Sequence, residues 1–164
     1  MHNLTIRRLN PPTDVALYEA AWQWNLDAPR WVRDCAKVFE ATDFTEFLTR
    51  AADPARVDVG IWEDGQFIGM ITLVLRAIGV YEAYLAAKRG ASLDHFGATI
   101  EDVKAVLTVS GMVQTFVWIA MQNHVILNLC ESAGFKLTGL EMYKGATHGR
   151  PIRWRQMNYV TSLI

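Results

Sequence analysis

Apolar residues recur along this chain with two different periods, and the changes of period mark its elements. Leu4, Ile6 and Leu9 alternate loosely and predict a short strand that stops at Asn10-Pro11-Pro12. Thr13 or Asp14 can cap a helix, and Val15, Leu17, Tyr18, Ala21 and Trp22 follow at helical spacing until Asp27-Ala28-Pro29 breaks it. Trp31 to Glu40 reads as a second helix, with Cys35, Val38 and Phe39 among its apolar positions. Phe44 to Ala52 reads as a third, with Phe44, Phe47, Leu48 and Ala51 turned inward.

After Asp53-Pro54 the period shortens to two: Val57, Val59 and Ile61 alternate with Asp58, Gly60 and Trp62. Glu63-Asp64-Gly65-Gln66 predicts a tight hairpin, because Asp-Gly accepts the positive φ angles of a type I′ turn. The returning strand, Phe67 to Leu75, is almost wholly apolar and is expected in mid-sheet. Arg76 to Gly79 turns again. Val80 to Ala87 is the next strand, with Val80, Glu82, Tyr84 and Ala86 on one face and Tyr81, Ala83, Leu85 and Ala87 on the other. A polar loop, 88–98, leads to a helix over 99–110 that opens on the capping-box-like Thr99-x-x-Asp102. Strand 113–121, helix 124–133, strand 136–143, loop 144–150 and strand 152–160 complete the order.

Composition narrows the class. The 164 residues are enough for one domain with a substantial core, and 51% are apolar, which argues against disorder. A net charge of −1 supplies no bulk field for nucleic acid. Two distant cysteines, Cys35 and Cys130, make neither a disulfide framework nor a CxxC site and suit a reducing compartment. No apolar run approaches a membrane span, so a soluble, intracellular (cytoplasmic) protein is expected. Four scattered histidines without ligand spacing lead us to expect no metal site.

The run Asn123-His-Val-Ile-Leu-Asn-Leu-Cys130-Glu-Ser-Ala-Gly134-Phe135, entered by one strand and left by another, resembles the C-terminal half of the GNAT family of N-acetyltransferases. The order of elements over essentially the whole chain is similar to that family's as well. The resemblance implies a single α+β domain over residues 1–164, an α/β/α sandwich. Its central sheet is mixed, mostly antiparallel, of six to seven strands, with a V-shaped splay between the fourth and fifth. It implies acetyl-CoA as the donor, lying in that splay, and direct attack by the amine of a small molecule, peptide or protein.

The resemblance also assigns residues. Backbone groups of Leu85, Ala86 and Ala87 hold the pantetheine arm and the developing oxyanion. Asn123 holds the pantetheine through its amide, though an asparagine there is equally a helix cap. Relatives follow the fourth strand with a Gln/Arg-x-x-Gly-x-Gly/Ala loop that cradles pyrophosphate at a helix N-terminus. Here the nearest register is Asp94-His95-Phe96-Gly97-Ala98-Thr99, and only Gly97 fits, while Lys88, Arg89 and Gly90 offer an alternative cradle. Five residues before Phe135, where relatives often carry a proton-donating tyrosine, stands Cys130, whose other reading is core packing. Glu82 is the candidate general base, with Glu141 a second choice and an ordinary strand glutamate the alternative. Trp22, Trp24, Tyr84 and Tyr143 are expected to border the acceptor, six tryptophans being many for this length. The run Arg150-Pro-Ile-Arg-Trp-Arg155 mixes cations with an aromatic and is read as a solvated strand edge rather than a nucleic-acid contact. The departures in the loop and at Cys130 leave a second reading: a silent GNAT-fold module serving as a structural or binding subunit of a larger assembly, for example a virus particle. A homo-oligomer or assembly partner fits either.

Overall fold

The computed structural model describes residues 3–28, 41–91 and 113–160. The helices expected at 31–40 and 99–110, with Cys35 and the 94–99 loop including Gly97, lie outside these residues. The described elements are β1 (Leu4–Arg8), α1 (Val15–Asp27), α2 (Phe44–Ala51), β2 (Arg56–Glu63), β3 (Gln66–Ala77), β4 (Val80–Ala87), β5 (Gln114–Ala120), α3 (His124–Ser132), β6 (Lys136–Thr147) and β7 (Arg150–Val160). The seven strands form one sheet in the order β1-β2-β3-β4-β5-β7-β6. The pairs β1–β2, β2–β3, β5–β7 and β6–β7 are antiparallel, and β4–β5 is parallel. This is the expected α+β class with its mixed, mostly antiparallel sheet. Among the described residues no helix is long and apolar enough to cross a membrane.

The chain gathers into two compact units, one of residues 1–74 with 84–91, the other of residues 75–83 with 92–164. In the first, Asp64 (φ 48°) and Gly65 (φ 79°) make the hairpin between β2 and β3, as the Asp-Gly pair predicts. Both faces of β2 are covered: Val59 and Ile61 are buried, and so are Asp58 and Gly60 on the alternate face. The Trp62 ring lies across Gly60, where an added Cβ would stand 2.5 Å from it, so only glycine lets the indole lie there. α1 buries Tyr18, Ala21 and Asn25, a 3-4 spacing that lays one stripe on the core. Asp14 occupies its N-cap position, but the side chain does not cap. Its carboxylate instead takes the Asn10 N–H at 2.8 Å and both arms of Arg7, at 2.7 and 2.9 Å, tying β1 to the helix start.

In the second unit, α3 is closed at both ends. The Asn123 side chain accepts the Ile126 N–H at 3.3 Å. At the other end Gly134 turns to φ +87°, so that Phe135 N–H reaches Cys130 O at 2.9 Å and Gly134 N–H reaches Glu131 O at 3.0 Å. These two bonds are a Schellman motif, and they explain why glycine then phenylalanine ends this helix. The apolar stripe of α3 packs with Ile119, Cys130, Ala133, Phe135 and Met157.

One expectation is corrected here. Residues 144–150 are not a loop: β6 continues to Thr147, and the turn is only His148 (φ 48°) and Gly149 (φ 74°). Gly145 (φ 71°) carries a register shift between Tyr143 and Ala146, so the strand passes through a bulge rather than ending.

Candidate functional site

β4 and β5 pair over Val80↔Gln114, Tyr81↔Thr115 and Glu82↔Phe116. β4 then runs on to Ala87 and β5 to Ala120 without further ladder pairs among the described residues. The start of β5 is pinned by Val113 and Gln114, whose N–H groups both donate to Gly79 O, at 2.8 and 3.0 Å. β5 meanwhile stays fully laddered to β7, from Gln114↔Val160 to Ala120↔Trp154. The parallel pair therefore ends at Glu82, the predicted base.

The Glu82 side chain is 14% exposed. Its Oε2 accepts from Arg76 Nε at 2.7 Å, and Arg76 Nη2 lies 2.6 Å from the same atom. Sequence reasoning placed Arg76 in a turn and missed this partner. The signal was there: a two-residue turn at Ile78 and Gly79, with Gly79 at φ 73°, folds β4 back beside the end of β3. Glu141, the second choice, takes Arg153 through Nε at 2.9 Å and again through Nη2, and Arg155 through Nε at 3.0 Å. The Arg153 bonds hold its carboxyl below the ordinary range, with Arg155 adding to them. Arg153 and Arg155 of the 150–155 run are thus paired with a carboxylate, but the expected strand edge is corrected: β7 is laddered on both sides, between β5 and β6, and the edge is β6.

The other predicted residues fall in both units. Cys130 is 6% exposed within the apolar cluster of α3, the position a packing cysteine takes. Asn123 spends its amide oxygen on the helix cap, the structural use expected of an asparagine there. Tyr143 stands 67% exposed on the sheet-edge strand β6, paired in register with Arg153. In the first unit, Ala86 is buried and Leu85 and Ala87 are half-buried, while Tyr84 packs on the core formed by Tyr18, Phe47 and Met70. Trp22 lies against Phe47, with ring centres 5.1 Å apart, and Trp24 stacks on Phe67 at 5.0 Å, so both indoles are half-buried packing groups of that core. After β4, Lys88 N–H donates to Ile68 O at 2.9 Å, and a turn closed by Ala91 N–H to Lys88 O follows. Arg89 and Gly90 (φ +81°) are exposed on it. No group of three or more metal-ligating side chains occurs among the described residues.

No family model and no curated protein sequence matches the chain. Solved structures do. Variant forms of the spermidine/spermine N-acetyltransferase SpeG from Vibrio cholerae superpose with a TM-score of 0.74 at 15% identity, over 96% of this chain and 95% of that one. The acetyltransferase of the GNAT family from Streptococcus pneumoniae gives 0.73 at 16% identity, over 97% and 100%. The chain has the GNAT fold. A third structure with this fold, yncA from Salmonella typhimurium with its cofactor acetyl-CoA, gives 0.73 at 17% identity, over 96% and 93%. With the GNAT fold, the early end of the β4–β5 ladder takes on its meaning: it is the splay that the resemblance implied.

Proposed function

We propose that this chain is an acyl-CoA-dependent N-acetyltransferase that moves an acetyl group to an amine by direct attack. The observation that carries the reading is the three-pair parallel ladder of β4 and β5, which ends at a carboxylate. Acetyl-CoA supplies an activated acyl carbon: the amine nitrogen bonds to it, the C–S bond breaks, and the amine's proton ends on the CoA thiol. Glu82 receives the amine N–H and carries the proton away, directly or through water. Main-chain N–H groups of Leu85, Ala86 and Ala87 hold the donor's carbonyl and pantetheine, and the Asn123 NH₂ holds a pantetheine carbonyl. Arg89, with Lys88 beside it and the open turn at Gly90, serves the phosphates. Tyr84, Tyr143, Trp22 and Trp24 are the residues we assign to the acceptor. SpeG acts on spermidine and spermine, so aliphatic polyamines are the first acceptors to try. One similar structure is dodecameric, which recommends measuring the mass of this chain in solution.

Calorimetric titration with acetyl-CoA tests the donor. At 100 times its dissociation constant it stabilises the fold by about 2.7 kcal/mol, raising the unfolding midpoint by about 5–10 °C. No shift at millimolar acetyl-CoA sinks the reading. Given binding, Glu82→Gln lowers turnover by about 100-fold or more, the usual scale of general-base catalysis, and leaves acetyl-CoA affinity nearly unchanged.

Two observations favour a second reading, a domain that binds without reacting. Cys130, standing where relatives often place their proton donor, packs in an apolar cluster, and Glu82 is already bonded to Arg76. Acetyl-CoA binding with no turnover across a panel of amines is its expected result.

A further inference from the structure

We propose that Arg76 is a positioning residue that fixes Glu82 for the incoming amine. The assignment rests on the transferase reading above and adds a residue to it. Two Arg76 nitrogens meet one carboxylate oxygen, Oε2: Nε donates to it and Nη2 lies 2.6 Å away. Oε1 has no hydrogen-bond donor among the described residues, so the carboxylate is held by one oxygen and presents the other. A glutamate side chain has three rotatable bonds, and an unrestrained one spreads over many rotamers. One charge-assisted bond from Nε and the close ion pair at Nη2 of the same planar guanidinium select one of them. The asymmetry in exposure supports the roles: Arg76 is 46% exposed and Glu82 14%, so the cation reaches in from solvent to hold a carboxylate that is mostly covered. The pair also sits at the last rung of the β4–β5 ladder, Glu82↔Phe116, the place where the donor's acyl group is expected. A carboxylate with one oxygen committed and one open suits receipt of an ammonium or amine N–H.

The test is a kinetic double-mutant cycle, run after acetyl-CoA affinity has been measured for every variant. Arg76→Gln is expected to lower kcat/KM for the amine by about 10- to 100-fold while acetyl-CoA affinity changes less than about two-fold. In the Glu82→Gln background the same substitution is expected to cost much less, because Arg76 reaches the amine through Glu82. Arg76→Lys restores the charge and one bond, and is expected to recover part of the loss. An equal cost of Arg76→Gln in both backgrounds, or no cost in either, overturns the assignment while the transferase reading stands. If Arg76→Gln fails to fold, Arg76→Lys run through the same cycle decides in the same way. A wild-type chain that binds no acetyl-CoA brings down both.

Discussion

Asp58 is 3% exposed and accepts from three side chains: Tyr18 Oη at 2.9 Å, Arg56 Nε at 2.8 and 2.9 Å, and Thr72 Oγ1. Arg56 is equally buried, its guanidinium carbon lies 5.3 Å from the Phe47 ring centre, and its two outer nitrogens have no hydrogen-bond partner among the described residues. The ion pair therefore depends on Asp58 and on the aromatic face for compensation. Asp58→Ala strands the cation and is expected to cost about 3–5 kcal/mol, the usual result of breaking a buried pair, seen as a drop of roughly 10 °C in the unfolding midpoint. A loss below about 1 kcal/mol in chemical denaturation would mean that the cluster is far wetter than its burial implies. Tyr18 reports on the same cluster. Burial, then the Asp58 charge and hydrogen bond, push its hydroxyl well above the ordinary 10. The folded state thus disfavours ionised tyrosine, so this contribution is whole below pH 10 and is lost as pH rises beyond it. Tyr18→Phe flattens that alkaline limb. None of this was visible in the sequence, where Asp58 read as the polar half of an alternating strand. A period of two says that faces differ, and says nothing about whether the second face is also covered.

Where an element's ends are set by local chemistry, the sequence carried more. The Asp64-Gly65 turn, the α3 cap at Asn123 and the glycine stop at Gly134 all follow from backbone conformations that few residues tolerate, and all are found. His148-Gly149 carries the same signal and was obscured by Gly145, whose bulge mimics a loop. Asp14 was misjudged because a nearby arginine competes for it better than the helix N–H groups do. α2 shows the opposite case, a cap richer than expected. Asp43 accepts the Glu46 N–H at 2.9 Å. Glu46 reaches back to Thr42 N–H and Oγ1, both at 2.7 Å, and pairs with Arg50 one turn on. The Thr42 backbone bond first, then its hydroxyl and Arg50, pull the Glu46 carboxyl down to about 2 from 4.5. A depressed carboxylate stabilises above its unfolded value and loses that contribution as pH falls through its folded one. The chain is expected to lose stability between about pH 4.5 and 2, with Asp14 beside Arg7 and Glu141 beside Arg153 contributing in the same direction. Glu46→Gln keeps an acceptor for Thr42 but cannot titrate. Melting curves over that range should therefore slope less steeply for the variant than for the wild type, and parallel curves would show that the cap does not feel its own charge.

Strand order was not written in any period. Alternation finds strands but cannot say that β4 lies beside β5; that came from the resemblance, through the capped helix after β5, and the parallel sense of the pair came from the structure. Likewise Glu82 could be placed on a strand face, whereas its link to Arg76 depends on how tightly residues 78 and 79 turn. The same connectivity bears on how the chain comes apart. The boundary between the two compact units passes through β3, between Val74 and Leu75, and through β4, between Ala83 and Tyr84. Each unit therefore borrows part of a strand whose remainder serves the other. We propose that residues 1–164 unfold as a single domain, since β3 and β4 each have residues in both units. The expected calorimetric trace is one peak of about 115 kcal/mol near 60 °C for this length, with van't Hoff and calorimetric enthalpies equal. Native-state hydrogen exchange gives the sharper check. The amides of Ile61 in β2 and Met157 in β7 both belong to residues 0% exposed, one in each unit. A single cooperative domain gives them the same opening free energy, equal to the global value. Two peaks, or a Met157 amide that exchanges several kcal/mol more easily than that of Ile61, would mean that the strands fray at the boundary and that the chain is two domains in one sheet.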